Sequence, residues 1–194
     1  MSKYRCFWLE PTDLFVHLAH YGSAADKICD GTRHRSEKFR IGVTGFYGET
    51  RSEILSYEGL PKHNCLKCGY EFQIGDFLIE TKRPAFKRSD DGKFIELENS
   101  PVGAMWDATW HRYRKEMCGS DGRSICVQTP HGVWVIDARS SNCSKPDLDH
   151  KCWTRDGEVP DLNVTKSSAN CMVGSENLLN HFHGFIRKGW LTEL

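Results

Sequence analysis

The chain has no net charge and no long apolar run. Lysine plus arginine number 26, and so do aspartate plus glutamate. That balance excludes a protein that coats polyanions through an overall basic surface, while leaving room for a local basic patch. No stretch approaches the ~20 apolar residues that a bilayer-spanning helix needs. In the opening MSKYRCFWLEPTD, Glu10, Pro11 and Asp13 interrupt any apolar core of a secretory signal, so a cytoplasmic, soluble protein without a membrane partner is expected. P-loop and dinucleotide-binding fingerprints are absent, which leaves nucleotide-driven chemistry unsupported. There is no H-E-x-x-H, and no H-x-E paired with P-C-x-x-C, so metalloprotease and nucleobase-deaminase signatures are missing as well. No internal repeat or low-complexity segment occurs.

Thiols and imidazoles, in contrast, are plentiful: nine cysteines and nine histidines in 194 residues. An odd cysteine count argues against a closed disulfide framework. In a reducing compartment, clustered thiols are more often metal ligands, with buried free cysteine as the competing reading. The first cluster is Cys65-Leu66-Lys67-Cys68-Gly69, a C-x-x-C-G knuckle. Two thiolates at that spacing can bind one ion from a tight turn, with backbone N–H groups aimed at the sulfurs and glycine supplying the required backbone angle. A redox C-x-x-C opens a helix in a βαβ setting, whereas Tyr70 and Phe72 here lead into a strand-like segment. A closed zinc site takes about four protein ligands. Cys29 and His34 are the expected partners, and His63 or Cys6 can replace either.

The second cluster is Cys143, His150, Cys152, Cys171, His181 and His183, all in a turn-rich segment. A loop-rich segment with few apolar residues needs a cross-link, and a metal supplies one. The favoured set is Cys143, Cys152, Cys171 and His183, with His150 and His181 as competing ligands. Cys126 lies in an apolar alternation and reads as a core thiol, and neither it nor Cys118 has a partner at ligand spacing. Zinc, as one or two ions, is the metal such sets favour.

The expected fold is α+β, made mostly of short antiparallel strands with a few short helices and stabilised by zinc. An N-terminal part, 1–100, carries the knuckle, and a C-terminal part, 101–194, carries the second cluster; the two can form one continuous domain. Leu14, Leu18 and Tyr21 at i, i+4 and i+7 predict a helix after Pro11. Met105, Trp106, Trp110 and Tyr113 recur at near-helical spacing. Strands are expected at Tyr4 to Leu9, Phe39 to Val43, Leu162 to Thr165 and His183 to Ile186. Asp90-Asp91-Gly92 and Pro130-His131-Gly132 mark hairpins. Ser175-Glu176 is expected to open a short helix.

Several motifs together resemble an uncharacterised family of small cysteine- and histidine-containing bacteriophage proteins. They are Cys6-Phe7-Trp8-Leu9-Glu10-Pro11-Thr12, Cys68-Gly69-Tyr70-x-Phe72, Gly103-Ala104-Met105-Trp106-Asp107, Asp121-Gly122-Arg123 and Trp134-Val135-Ile136-Asp137, followed by Ser141-Asn142-Cys143, His150-Lys151-Cys152-Trp153 and the run from His183 to Gly189. The resemblance implies phage origin, location in the host cytoplasm and the grouping of Cys143, Cys152, Cys171 and His183. It supplies no activity. The expected function is a zinc-stabilised accessory protein that acts as a binding module by contact with a host protein. Trp106 and Trp110 with Arg112 and Arg114 are the candidate contact surface, weighed against the reading that these tryptophans are core. A zinc hydrolase or transferase with an open metal site is the alternative. Asp137, Arg139 and Asn142 would then line a polar pocket beside Cys143, weighed against a strand-end ion pair of Asp137 with Arg139. Nucleic-acid binding, if any, is expected to be weak.

Overall fold

The computed structural model describes residues 2–23, 28–29, 31–44, 64–72, 76–140, 143, 145–147, 150–166, 182 and 184–193. Within them the chain is mostly β, built from antiparallel sheets with one parallel pairing. The only helical pieces among the described residues are three-residue 3-10 turns at Leu97–Asn99, Thr109–His111 and Lys115–Met117. The expected antiparallel strands are there; among the described residues the helical part is limited to these short turns, and the helix expected at Ser175-Glu176 lies outside the described residues. No helix among the described residues is long and apolar enough to cross a membrane.

The chain divides into two compact units: Met1–Glu10, Arg88–Lys93 and Glu98–Leu194 in the first, Pro11–Lys87 and Phe94–Leu97 in the second. The first ten residues join the C-terminal half because β1 (Lys3–Arg5) pairs with the last strand, Tyr4 opposite Leu191. This differs from a division near residue 100.

In the first unit, a five-stranded antiparallel sheet runs in the order β1, β14 (Trp190–Glu193), β13 (Gly184–Arg187), β12 (Asn163–Lys166), β11 (Trp153–Asp156). A second layer joins β10 (Gly132–Val135), β9 (Ile125–Thr129) and β8 (Ala104–Asp107) to the start of β2 (Phe7–Gly22), where Phe7 lies opposite Ala104 in parallel. Alternating strand residues of both layers meet in one core: Met105, Ile125 and Val127 from one sheet, Val164, Ile186 and Leu191 from the other, with Cys6, Ile136 and Leu162. Across its edge, Asp137 accepts from the Ile125 N–H at 2.8 Å and from Arg155 Nε at 2.8 Å, while Arg155 also reaches Asp121 at 2.6 Å. The ion pair therefore joins Asp137 to Arg155, not to Arg139.

In the second unit, β2 continues from Pro11 and pairs antiparallel with β5 (Phe39–Thr44), with a bulge between His17 and Leu18. β6 (Phe77–Arg88) is its other neighbour, and β7 (Phe94–Ile95) follows β6 across the Asp90-Asp91-Gly92 turn, as that turn predicted. The expected helix over Leu14 to Tyr21 is this strand. Its residues 15 to 19, Phe-Val-His-Leu-Ala, form a continuous apolar-rich run, and a run flanked by strands on both sides satisfies helical and fully buried strand patterns alike. Val16, Leu18 and Ala85 form the small core here.

Candidate metal centres

The C-x-x-C-G segment closes on itself. Cys65 N–H donates to Tyr70 O at 2.8 Å and Gly69 N–H donates to Cys65 O at 2.9 Å. Gly69 sits at φ +74°, the left-handed conformation that glycine adopts without strain. Backbone N–H groups of Cys68, Lys67 and Arg35 reach the Cys65 sulfur. The turn is the expected knuckle.

Its partners come from two other segments of the same unit. Cys29 ends β3 (Ile28–Cys29) and is the register partner of Thr32 on β4 (Thr32–Arg33), across a two-residue turn whose Gly31 has φ +72°. His34 is held against the end of β2: its N–H donates to Ser23 Oγ at 3.1 Å and its carbonyl accepts from Ser23 N–H at 3.2 Å. The Tyr70 ring stacks on the His34 imidazole with centroids 4.3 Å apart, and the Tyr70 hydroxyl donates to Asp76 Oδ2 at 3.1 Å.

These supports bring the three sulfurs and an imidazole nitrogen together. Cys29 Sγ lies 3.8 Å from Cys65 Sγ, and Cys68 Sγ lies 3.2 Å from His34 Nδ1. All four ligand atoms fall within 4.8 Å of one another. Two thiolates bound tetrahedrally to zinc at ~2.3 Å stand about 3.8 Å apart, so the sulfur pair already has the edge length of such a site. The electrostatics fit a cation as well. Burial works against charge on Cys65, yet the N–H groups of Cys68, Lys67 and Arg35 and the His34 ring outweigh it and bring the thiol down to about 5. Burial and the hydrogen bonds with Cys65 and Cys68 push Cys29 up to about 11. Neighbouring thiols resist ionising together, and a cation held among them would favour the thiolate forms.

The second group lies in the first unit, in the loop between β10 and β11. Cys143, His150 and Cys152 place their ligand atoms within 4.8 Å of one another. Arg139 organises the loop from inside: Nη1 donates to Asp147 O at 3.0 Å, and Nη2 donates to Cys143 O at 2.7 Å and to Lys145 O. Sequence reasoning assigned Arg139 to a pocket wall or an ion pair; in the structure it fastens the ligand loop by its carbonyls. Ser140 N–H donates to Cys152 Sγ at 3.3 Å. The Lys145 N–H, with help from Cys152 and Arg139, lowers the Cys143 thiol, whereas burial raises Cys152. His150, the competing choice from sequence, is the imidazole that joins the two cysteines. Cys171, His183 and His181 lie outside the described residues, as do His63 and Asn142.

The remaining candidates separate cleanly. Cys6 is 2% exposed in the core of the first unit, where burial pushes it up to about 11; it is not part of the knuckle group. Cys126 is a core thiol, as its alternation predicted, pushed up by burial to about 12. None of the eight described cysteines forms a disulfide. Trp106 is corrected from contact surface to core: it sits on β8, whose Ala104, Met105 and Trp106 are all buried. Trp110 is 50% exposed, and Arg112 Nη2 pairs with Asp107 Oδ2 at 2.7 Å.

No protein-family model matches this chain, and neither the curated proteins nor the solved structures searched for comparison gave a match.

Proposed function

We propose that this chain is a zinc-stabilised binding module that works by contact with another protein, with one zinc at Cys29, His34, Cys65 and Cys68 and a second at Cys143, His150 and Cys152. The observation that carries the reading is the convergence of four soft ligand atoms from three separate segments to within 4.8 Å. Thiolate and imidazole together select zinc over hard cations, and its tetrahedral preference suits a three-sulfur, one-nitrogen set. Catalytic zinc sites keep an open position beside a general base. The knuckle group supplies a full set of four ligands and the second supplies three among the described residues; neither includes a carboxylate, and cysteine-rich sets serve structure. That weighs for a binding module over a hydrolase or transferase. The motif resemblance adds phage origin, and a host protein as the partner, to the proposal.

Elemental analysis of protein purified without chelator tests it. About two zinc equivalents per chain are expected, one for each group. One equivalent would remove one of the two sites, and zero metal would overturn the reading.

A further inference from the structure

Between β8 and β9 the chain winds through consecutive i→i+3 turns. His111 N–H donates to Ala108 O, Arg112 N–H to Thr109 O, Arg114 N–H to His111 O, Met117 N–H to Arg114 O and Cys118 N–H to Lys115 O. In such winding, side chains three residues apart lie one above the other. Trp110 and Tyr113 lie three residues apart on this segment, and both are large aromatics left in solvent, 50% and 75% exposed. Arg112, Arg114, Lys115 and Glu116 are exposed beside them. With Arg112 paired to Asp107, Arg114 and Lys115 against Glu116 leave this segment locally positive on a chain whose total is zero.

The segment is not a loose loop. The His111 ring bonds Ser124 Oγ at 3.1 Å, Ala108 N–H donates to Ser124 O at 2.8 Å, and Arg112 is tied to Asp107. Its far end is held from the metal loop. Lys151, flanked by the ligands His150 and Cys152, donates from Nζ to Lys115 O at 3.0 Å and to Glu116 O at 2.6 Å. Arg114 lies over the Tyr113 ring, 5.3 Å from its centroid. Rings presented rigidly lose little freedom on binding, and Trp, Tyr and Arg are the residues that dominate protein contacts.

From this geometry we infer that the 109–116 segment is the docking surface of the binding module, that its partner is an acidic protein segment with apolar side chains among its carboxylates, and that the Cys143–His150–Cys152 site positions it through Lys151. The inference rests on the binding-module reading for its partner class. Carboxylates meet Arg114 and Lys115, and apolar side chains meet Trp110 and Tyr113. The zero overall charge favours such a local contact over a nucleic-acid strand, whose affinity grows with the number of phosphates neutralised.

The test uses the zinc-loaded full chain and three labelled peptides of equal length: alternating Glu and Leu, the same with Gln for Glu, and the same with Lys for Glu. Fluorescence anisotropy reads affinity, with oligothymidine as a fourth probe. The Glu–Leu peptide should bind most tightly and weaken as salt rises. Trp110→Ala and Tyr113→Ala should each weaken it about tenfold or more, and both side chains are exposed enough that folding should survive. Lys151→Met should weaken it with zinc content unchanged, whereas Lys93→Met, at an exposed lysine distant in sequence, should not. Equal binding of all three peptides, insensitivity to Trp110→Ala and Tyr113→Ala, or tighter binding of oligothymidine would overturn the surface or its partner. Normal affinity in Lys151→Met would overturn the link to the metal site. Zinc content, measured on the same samples, reports separately on whether the metal reading itself has failed.

Discussion

The two units hold the same kind of ligand cluster in different surroundings. Around Cys143, His150 and Cys152, the first unit has two sheets packed over nine buried side chains. Around Cys29, His34, Cys65 and Cys68, the core among the described residues is Val16, Leu18 and Ala85 with a few partly buried neighbours. Burial of apolar surface is the main favourable term in folding. A unit with a full core can lose a peripheral cross-link and keep its sheets; one with a small core leans on the cross-link for its fold. On the proposed reading, similar clusters should have unequal consequences: loss of the knuckle site should destabilise its unit, and loss of the second should loosen one loop.

The largest expected effect is therefore at the knuckle. Structural zinc contributes about 10–16 kcal/mol in small domains. Cys65→Ser should remove one zinc equivalent and expose the segment from Pro11 to Lys87 to protease, while the strands of the first unit remain resistant. If limited proteolysis instead cuts both units alike, the contrast between them fails.

Next is the core of the first unit. Ile186→Ala should cost about 2–5 kcal/mol by lost burial and the cavity left behind. Urea unfolding should show this loss with both zinc equivalents retained. A loss of metal on this substitution would mean that the sheets and the sites are not separable.

Cys152→Ser should have a smaller effect. One zinc equivalent should go and protease should reach the loop between Arg139 and Cys152, with β8, β9 and β10 intact. Unchanged zinc content would remove Cys152 from the ligand set.

The smallest effect concerns a surface charge pair. The Arg88 guanidinium, 2.7 Å from the Asp90 carboxylate, holds that carboxyl below its ordinary 3.8. A lowered folded-state value stabilises the protein above the unfolded value, and the contribution is lost as pH falls below about 4. Exposed pairs contribute about 0.2–1 kcal/mol. Asp90→Asn should therefore lower stability slightly at neutral pH and have no effect under strongly acidic conditions, as read from urea midpoints at the two pH values. A large loss would give surface charge a weight that this account assigns to metal.

Local chemistry was the legible part of the sequence. Pro130-His131-Gly132 and Asp90-Asp91-Gly92 marked hairpins because turns depend on their own few residues. The Cys65–Gly69 turn was legible for the same reason; Cys29 and His34 were named beside it only with His63 and Cys6 as alternatives, because which distant segments approach the turn is not a local property. The course of β2 was not legible, because flanking strands, distant in sequence, turn an apparently helical pattern into a buried strand. Trp106 was left open between surface and core, because nothing in its local sequence shows that it is buried on β8. His150 could not be chosen over the other histidines by spacing alone, since the folding of its loop depends on Arg139 and its bonds to backbone carbonyls.

Amide hydrogen exchange before and after zinc removal tests the central claim most directly. On chelation, protection should collapse in Pro11–Thr44 and Asn64–Phe72, loosen locally between Arg139 and Cys152, and persist in β8, β9 and the sheet from β11 to β14. Exchange that is the same with and without chelator, or that rises evenly along the chain, would contradict it.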